Sequence, residues 1–362
     1  MTPDRLAALA MFAVLMVSLF WLVRWVRQSL SWRPVWDRFR REPLALAGLA
    51  FILLLVSVAI LAPLLPLRDP NHGYYELLPL NGRPLPPGAT FLLGSDANGR
   101  DLLSRTLWGA RVSLIIGCLA NFSALALGIS LGSVAAYFGG WMDMVLMRFT
   151  DIMMAFPVVL FSIALIGILY SSGLHGNLLV IAAVIALFYW TAVARIVRAQ
   201  VLSIKEKEFV EAARALGTHP IRILAKHIFP HLMPIIIVYG TIGIATTITV
   251  ESILSFIGIG VQPPTADWGV MVNEGVTFMQ IAPWLVIVPG LMILLTVLAF
   301  NLLGDGLRDA LDPRERALFR GAIGGVAAGG GGLPMGQRAT LEPGVEVTVP
   351  GTFEVEEASG SR

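Results

Sequence analysis

The chain has 362 residues, 56% of them hydrophobic and 14% charged, with a formal net charge of +2 at pH 7 and a mean hydropathy of +0.76. Soluble domains carry about 25% charged and about 45–50% apolar residues, so this chain has too little polar surface to solvate a globule. The figures exclude a soluble enzyme, a disordered chain and a nucleic-acid binder, which needs a basic footprint. They predict a polytopic membrane protein of all-α class. The one cysteine, Cys118, sits in an apolar run and excludes an internal disulfide or a cysteine-based metal site.

A bilayer core about 30 Å thick requires roughly 20 apolar residues in a helix. Along the chain, seven stretches meet this: 6–23, 44–65, 112–138, 152–170, 178–194, 234–257 and 284–303. They are continuously apolar and do not alternate at period two, which selects helices over a barrel. The first stretch has one acid and one base before it and runs directly into Arg24, Trp25 and Arg27 with no small-residue cleavage site. It therefore reads as an uncleaved anchor. Pro157 and the pair Pro289-Gly290 interrupt two spans, either to fit the bundle's shape or to serve as hinges.

Basic loops remain in the cytoplasm. The segment 24–42 carries Arg24, Arg27, Arg33, Arg38, Arg40 and Arg41 against Asp37 and Glu42. The segment 195–231 carries Arg195, Arg198, Lys205, Lys207, Arg214, Arg222 and Lys226. An even number of spans separates them, so both predict an outside amino terminus and a cytoplasmic carboxyl terminus. The loop 66–111, with five basic and four acidic residues, then faces outward.

Most candidate chemistry fails on context. The chain has three lysines and none completes a GxxxxGK[ST] loop, so it has no ATP-binding loop of its own. Gly128-Ile-Ser-Leu-Gly132 fits a nucleophile-elbow pattern but lies inside a span, where the same residues make a GxxxG packing face. The run from Asp96 to Asp101 has the wrong glycine position and no closing glutamate for a calcium loop, and reads instead as an Asx-type turn leading into a helix. All five histidines fall in loops or loop helices, which argues against an intramembrane protease. Glu251 is the clear charge within a span, among Thr246, Thr247, Thr249 and Ser252. An intramembrane carboxylate is a functional candidate by default, here for the translocation path. The alternative is a structural group near the outer end of its helix, hydrogen-bonded to a neighbouring span.

The inward loop 203–234 is the most informative stretch. Ser203 and Glu206 form a capping box that is expected to start a helix. Phe209, Ala212, Ala213 and Leu216 recur at helical spacing as an apolar stripe, with Lys207, Glu211 and Arg214 on other faces at pairing distance. Gly217 suits a left-handed helix stop and Pro220 the first turn of a second helix, whose stripe is Ile221, Leu224, Ala225 and Ile228. Pro230 and Pro234 return the chain to the membrane. Such a helix–glycine–helix element, tied at both ends to spans, either packs back on its own bundle or docks a partner and transmits motion.

Glu211-Ala212-Ala213, Gly217 and Pro230 resemble the EAA loop of permease subunits in binding-protein-dependent ABC importers, with His227 and Phe229 departing from the commoner isoleucine and leucine. Other runs are similar to the peptide and nickel branch: Leu93-Gly-Ser-Asp-Ala-Asn-Gly-Arg-Asp-Leu-Leu-Ser-Arg105 with Gly109-Ala-Arg-Val-Ser-Leu114, and Gly260-Val-Gln-Pro-Pro264 with Asp267-Trp-Gly269. So is Asn301-Leu-Leu-Gly-Asp-Gly-Leu-Arg-Asp-Ala-Leu-Asp-Pro313. The resemblance covers roughly residues 32–316 and is to the C-type permease of dipeptide and oligopeptide importers. It implies a six-span type I permease core in the inner membrane of a bacterial or archaeal cell. The implied partners are a second permease, as a heterodimer, two ATP-binding subunits that use the ATP, and an extracytoplasmic solute-binding protein. It implies no cofactor on this chain, no catalysis by it and no nucleic-acid partner. Glu211, Ala212, Ala213, Gly217 and Pro230 would be the ATPase-coupling residues.

The expected organisation is an additional anchor at 1–30, a region with one span and an outward loop at 31–111, and the transmembrane domain at 112–304 with its loop at 195–233. A cytoplasmic end at 305–320 and a glycine-rich linker with an acidic, disordered tail at 321–362 complete it. The rival reading is a stand-alone secondary transporter or channel, which predicts several charges within spans. Whether the substrate is a dipeptide, an oligopeptide or a nickel chelate is not legible in these residues.

Overall fold

The computed structural model describes residues 3–29, 32–79, 83–171, 173 and 177–311. The tail expected over 321–362 lies outside them. Helix α1 (Pro3–Gln28) is followed by α2 (Arg33–Phe39) and α3 (Pro43–Leu61), each of the latter two starting with a proline in its first turn, where a missing N–H costs nothing. After the loop that follows α3, α4 (Leu102–Phe138) begins on Asp101, whose carboxylate accepts from the Ser104 amide at 3.0 Å. Then come α5 (Gly140–Ala155), α6 (Val158–Ser171) and α7 (Leu178–Lys205), the last capped by the Asn177 side chain. Helices α8 (Glu208–Ala215) and α9 (Pro220–Ile223) form the loop between α7 and α10 (Phe229–Phe256). Helix α11 (Trp268–Val276) and α12 (Trp284–Leu311) end the described chain.

Among the described residues, five helical stretches are long and apolar enough to cross a membrane, and six if the bent pair α5–α6 is one span. Helix α1 stands ahead of these six with a shorter apolar run, Leu6–Trp21. The fold is an all-α membrane bundle, six spans plus an additional N-terminal helix. Helix α4 packs most extensively on α7, and also on α10, α3 and α5. At the α4–α7 crossing a Cβ on Gly128 would lie 2.6 Å from that of Val193, and one on Gly132 would lie 2.5 Å from the Ala194 carbonyl oxygen. The GxxxG face is a packing face, and Ser130 between its glycines bonds the Ala126 carbonyl of its own helix.

Two span expectations need correction. The stretch 152–170 is not one straight helix: α5 and α6 meet at an 89° bend. Phe156 is extended at φ −86, ψ 136, because the following Pro157 ring disfavours helical backbone before it. Pro289, by contrast, lies inside a continuous α12. It sits near the start of that helix and removes one hydrogen bond without breaking it.

Candidate functional site

The loop between α7 and α10 is built differently from its sequence pattern. Ser203 and Glu206 do not start a helix; α7 continues through Lys205, and Glu206 is its C-terminal cap. The span's own helix overrides the local capping signal, and the Lys205 ammonium ties its end to the Ala136 carbonyl of α4 at 3.1 Å. Helix α8 begins after Lys207 with no side-chain cap, and Glu208 and Glu211 in its first turn meet the positive end of the helix dipole.

The apolar stripe divides between two faces. Val210 and Ala213 are buried with Val197, Val201, Ile223, Ile228 and Leu232, while Ala212 is exposed. Leu216, just before the turn, is 85% exposed, and Ile221, just after it, is 64% exposed. In the second stripe Ile223 is buried rather than Ile221, because Leu224–Ile228 is a π turn in which the Phe229 amide bonds the Leu224 carbonyl, five residues back. That extra residue shifts the register. Gly217 has φ +71, and the Thr218 amide bonds the Ala213 carbonyl at 3.1 Å, a left-handed helix stop as its place in the pattern predicts. Arg214 lies over the Tyr137 ring of α4 at 5.4 Å, in place of the pairing expected with its helix neighbours. Phe209 stacks on the His231 ring at 4.9 Å, and Pro230 sits in the first turn of α10.

At the opposite end of the bundle, Asp96 accepts from the amides of Asn98 at 2.9 Å and Arg100 at 2.8 Å, the Asx turn anticipated from the sequence. Its other oxygen pairs with the Arg100 guanidinium at 2.5 Å. Glu274 of α11 receives both Arg100 at 2.8 Å and Arg105 at 2.9 Å. Burial works against the Arg100 charge, but the carboxylates of Asp96 and Glu274 outweigh it and raise its pKa. Arg105 also donates to the carbonyls of Pro70 at 3.4 Å and Pro264 at 3.3 Å, so the loop between α3 and α4, α4 itself and α11 share one ionic clasp. A cavity of about 280 Å³ lies beside it, lined in part by Asn98, Met271 and Phe278. Glu251 is fully buried and accepts from Ser255 at 2.7 Å. The sequence reading missed Glu274 as the partner of two arginines and Asp267 as the partner of Ser113; the one available signal was Asp267 before Trp-Gly, an N-cap placement.

An all-α bundle of six spans with a folded hairpin between two of them is the architecture of a polytopic membrane protein. Residues 128–317 match the model of the binding-protein-dependent transport system inner membrane component family, and residues 31–87 match that of the N-terminal TM domain of oligopeptide transport permease C. The chain is 42% identical over 286 residues to the dipeptide transport system permease protein of Alkalihalophilus pseudofirmus, covering 79% of this chain and 91% of that one. It is 43% identical over 283 residues to the glutathione transport system permease protein of Escherichia coli, covering 78% and 90% respectively. A chain of the inward-facing MetNI methionine ABC transporter aligns with a TM-score of 0.48 at 17% identity, over 57% of this chain and 96% of that one. The chain belongs to the binding-protein-dependent transport system inner membrane component family, and is a multi-pass inner-membrane permease. Helix α1 lies ahead of both matched segments.

Proposed function

We propose that this chain is one permease subunit of an ATP-driven importer for dipeptides or glutathione-like peptides. It pairs with a second permease over two ATP-binding subunits and receives substrate from an extracytoplasmic binding protein. Its amino terminus is outside and its carboxyl terminus cytoplasmic. The substrate class follows the two relatives named for dipeptide and glutathione transport.

The observation that carries the reading is the α8–α9 turn. Leu216 and Ile221 project from a hairpin whose other face is fixed by Val210, Ala213, Ile223 and Ile228. Two large apolar side chains held in water on a rigid support are suited to a cleft in a partner. Burying each contributes about 1.5–3 kcal/mol. Glu211, Ala212 and Gly217 surround them on the exposed side, Ala213 and Pro230 set the hairpin's seat, and together these are the coupling residues. Closure of the ATPases on nucleotide would push this hairpin, and the hairpin is joined to α7 and α10, so the spans move with it. Glu251, enclosed within the chain, is better suited to structure at the end of α10 than to a path wall.

Replacing Leu216 with aspartate in the assembled complex tests this. The expected result is loss of the ATP-binding subunits on size-exclusion while the second permease remains. A variant that keeps its ATPases and its uptake rate would overturn the docking reading.

A further inference from the structure

Helix α1, which lies ahead of both matched family segments, packs against α3 and the short helical turn that ends it. Between the start of α1, the end of α3 and α4 lies an open crevice of about 470 Å³, lined by Ala7, Met11, Ile60, Pro63, Trp108 and Arg111. We propose that this crevice binds an anionic phospholipid, with the lipid's phosphodiester on Arg111 and an acyl chain along Ala7 and Met11. The inference rests on the chain being a membrane bundle and not on the transport reading.

Charge selects the head group. The other arginines held against the spans have carboxylates: Arg100 and Arg105 share Glu274, Arg195 pairs with Asp151 and Arg198 with Asp143. Arg111 is half-buried, and among the described residues it has neither a carboxylate nor a hydrogen-bond acceptor; its contact is the Trp108 ring at 5.9 Å. A cation at the edge of a bilayer without a counter-charge is costly, and a lipid phosphate supplies one in place. The Trp108 indole N–H also lacks an acceptor among the described residues, and tryptophan favours the level where head groups meet hydrocarbon.

The three walls reach that level together. Arg111 immediately precedes the apolar run 112–138 of α4, Ala7 stands at the start of the apolar run Leu6–Trp21 of α1, and Pro63 lies near the end of the apolar run 44–65. The cationic end of the crevice is therefore at the membrane boundary, and its α1 and α3 walls border hydrocarbon. Ala8 is 4% exposed and seats α1 on the bundle, while Ala7 and Met11 stay exposed on the crevice side. The methyl group of Ala7 leaves width for a chain, and the flexible Met11 thioether adapts to it. A basic pocket between spanning helices is the usual form of an anionic-lipid site.

Native mass spectrometry of the full-length chain, purified with whatever subunits accompany it, tests this without reference to transport. The probes are phosphatidylglycerol and phosphatidylethanolamine with matched acyl chains, added in equal amounts. The wild type is expected to retain phosphatidylglycerol in preference. Arg111→Gln should bind it about fivefold more weakly, the effect of one arginine near an anionic head group, and Arg111→Lys should keep most of the preference. Ala7→Trp, which fills the crevice and leaves the cation in place, should also lower retention. Equal retention of the two lipids by the wild type, or unchanged retention in Arg111→Gln or in Ala7→Trp, overturns the proposal. Displacement of the lipid by millimolar inorganic phosphate overturns it in favour of a simple anion site. Retention that begins only when accompanying subunits are stripped away overturns it in favour of a protein helix filling the crevice.

Discussion

Replacing Gly217 with valine separates the angle of the α8–α9 turn from the packing beneath it. Gly217 has φ +71, and a Cβ there would meet nothing within 4 Å, so the substitution creates no clash. Its cost is backbone strain alone, about 1–2 kcal/mol for an L-residue held in the left-handed region, or roughly a 5–30-fold change in an equilibrium. The buried support of Val210, Ala213 and Ile223 is untouched. The strain is relieved by changing the turn, which re-aims Leu216 and Ile221. In proteoliposomes holding the whole importer, the valine variant is expected to fall to about a tenth of the wild-type solute taken up per ATP hydrolysed, following that shift. The yield of assembled complex and its unfolding midpoint should stay as in the wild type. Asparagine, which tolerates this conformation, should retain most of the coupling. Wild-type uptake per ATP in the valine variant would refute the reasoning.

Other consequences follow from the same geometry. Gly132→Val places side-chain atoms against the Ala194 carbonyl, where a Cβ alone comes to 2.5 Å, and overpacking of this kind costs about 1–3 kcal/mol; a lowered unfolding midpoint in detergent is expected, and an unchanged one contradicts the α4–α7 crossing. Arg105→Met leaves Asp96 and Glu274 short of a partner at a site where Arg105 is 1% exposed. A loss of about 3–5 kcal/mol is typical for such a break, and Glu274→Gln in the same chain should recover part of it; strictly additive losses in the double-mutant cycle would contradict the clasp. With Cys118 replaced by serine, a cysteine at Thr90 should react with a membrane-impermeant maleimide on intact cells, and one at Glu206 only after permeabilisation. The reverse pattern would invert the proposed topology.

What was legible in the sequence was local. Apolar runs located the spans, the run from Asp96 to Asp101 marked a turn into a helix, Gly217 marked a stop, and Gly128 with Gly132 marked a close helix crossing. These signals depend on residues within a turn or two of one another. Failures came where a longer-range constraint took over. Ser203 and Glu206 satisfy a capping pattern, yet the helix descending from the membrane runs through them. The stripe from Ile221 to Ile228 assumes 3.6 residues per turn, and the π turn breaks that period. The pairings Arg105–Glu274 and Ser113–Asp267 join residues 169 and 154 positions apart, and no periodicity reports such contacts. For the coupling loop, the pattern indicated where the element lies, while the exposed pair Leu216 and Ile221 emerged only from the three-dimensional arrangement.

The central claim is that this chain works as one subunit of an ATP-driven assembly. Its most direct test is to tag the chain in its native host, purify it in mild detergent, identify stoichiometric companions by mass spectrometry, and assay uptake of the purified material in liposomes. The account predicts a second permease and ATP-binding subunits in fixed ratio, uptake that requires ATP and a binding protein, and loss of the ATPases when Leu216 is changed to aspartate. A folded chain that purifies alone and moves solute without ATP would contradict it.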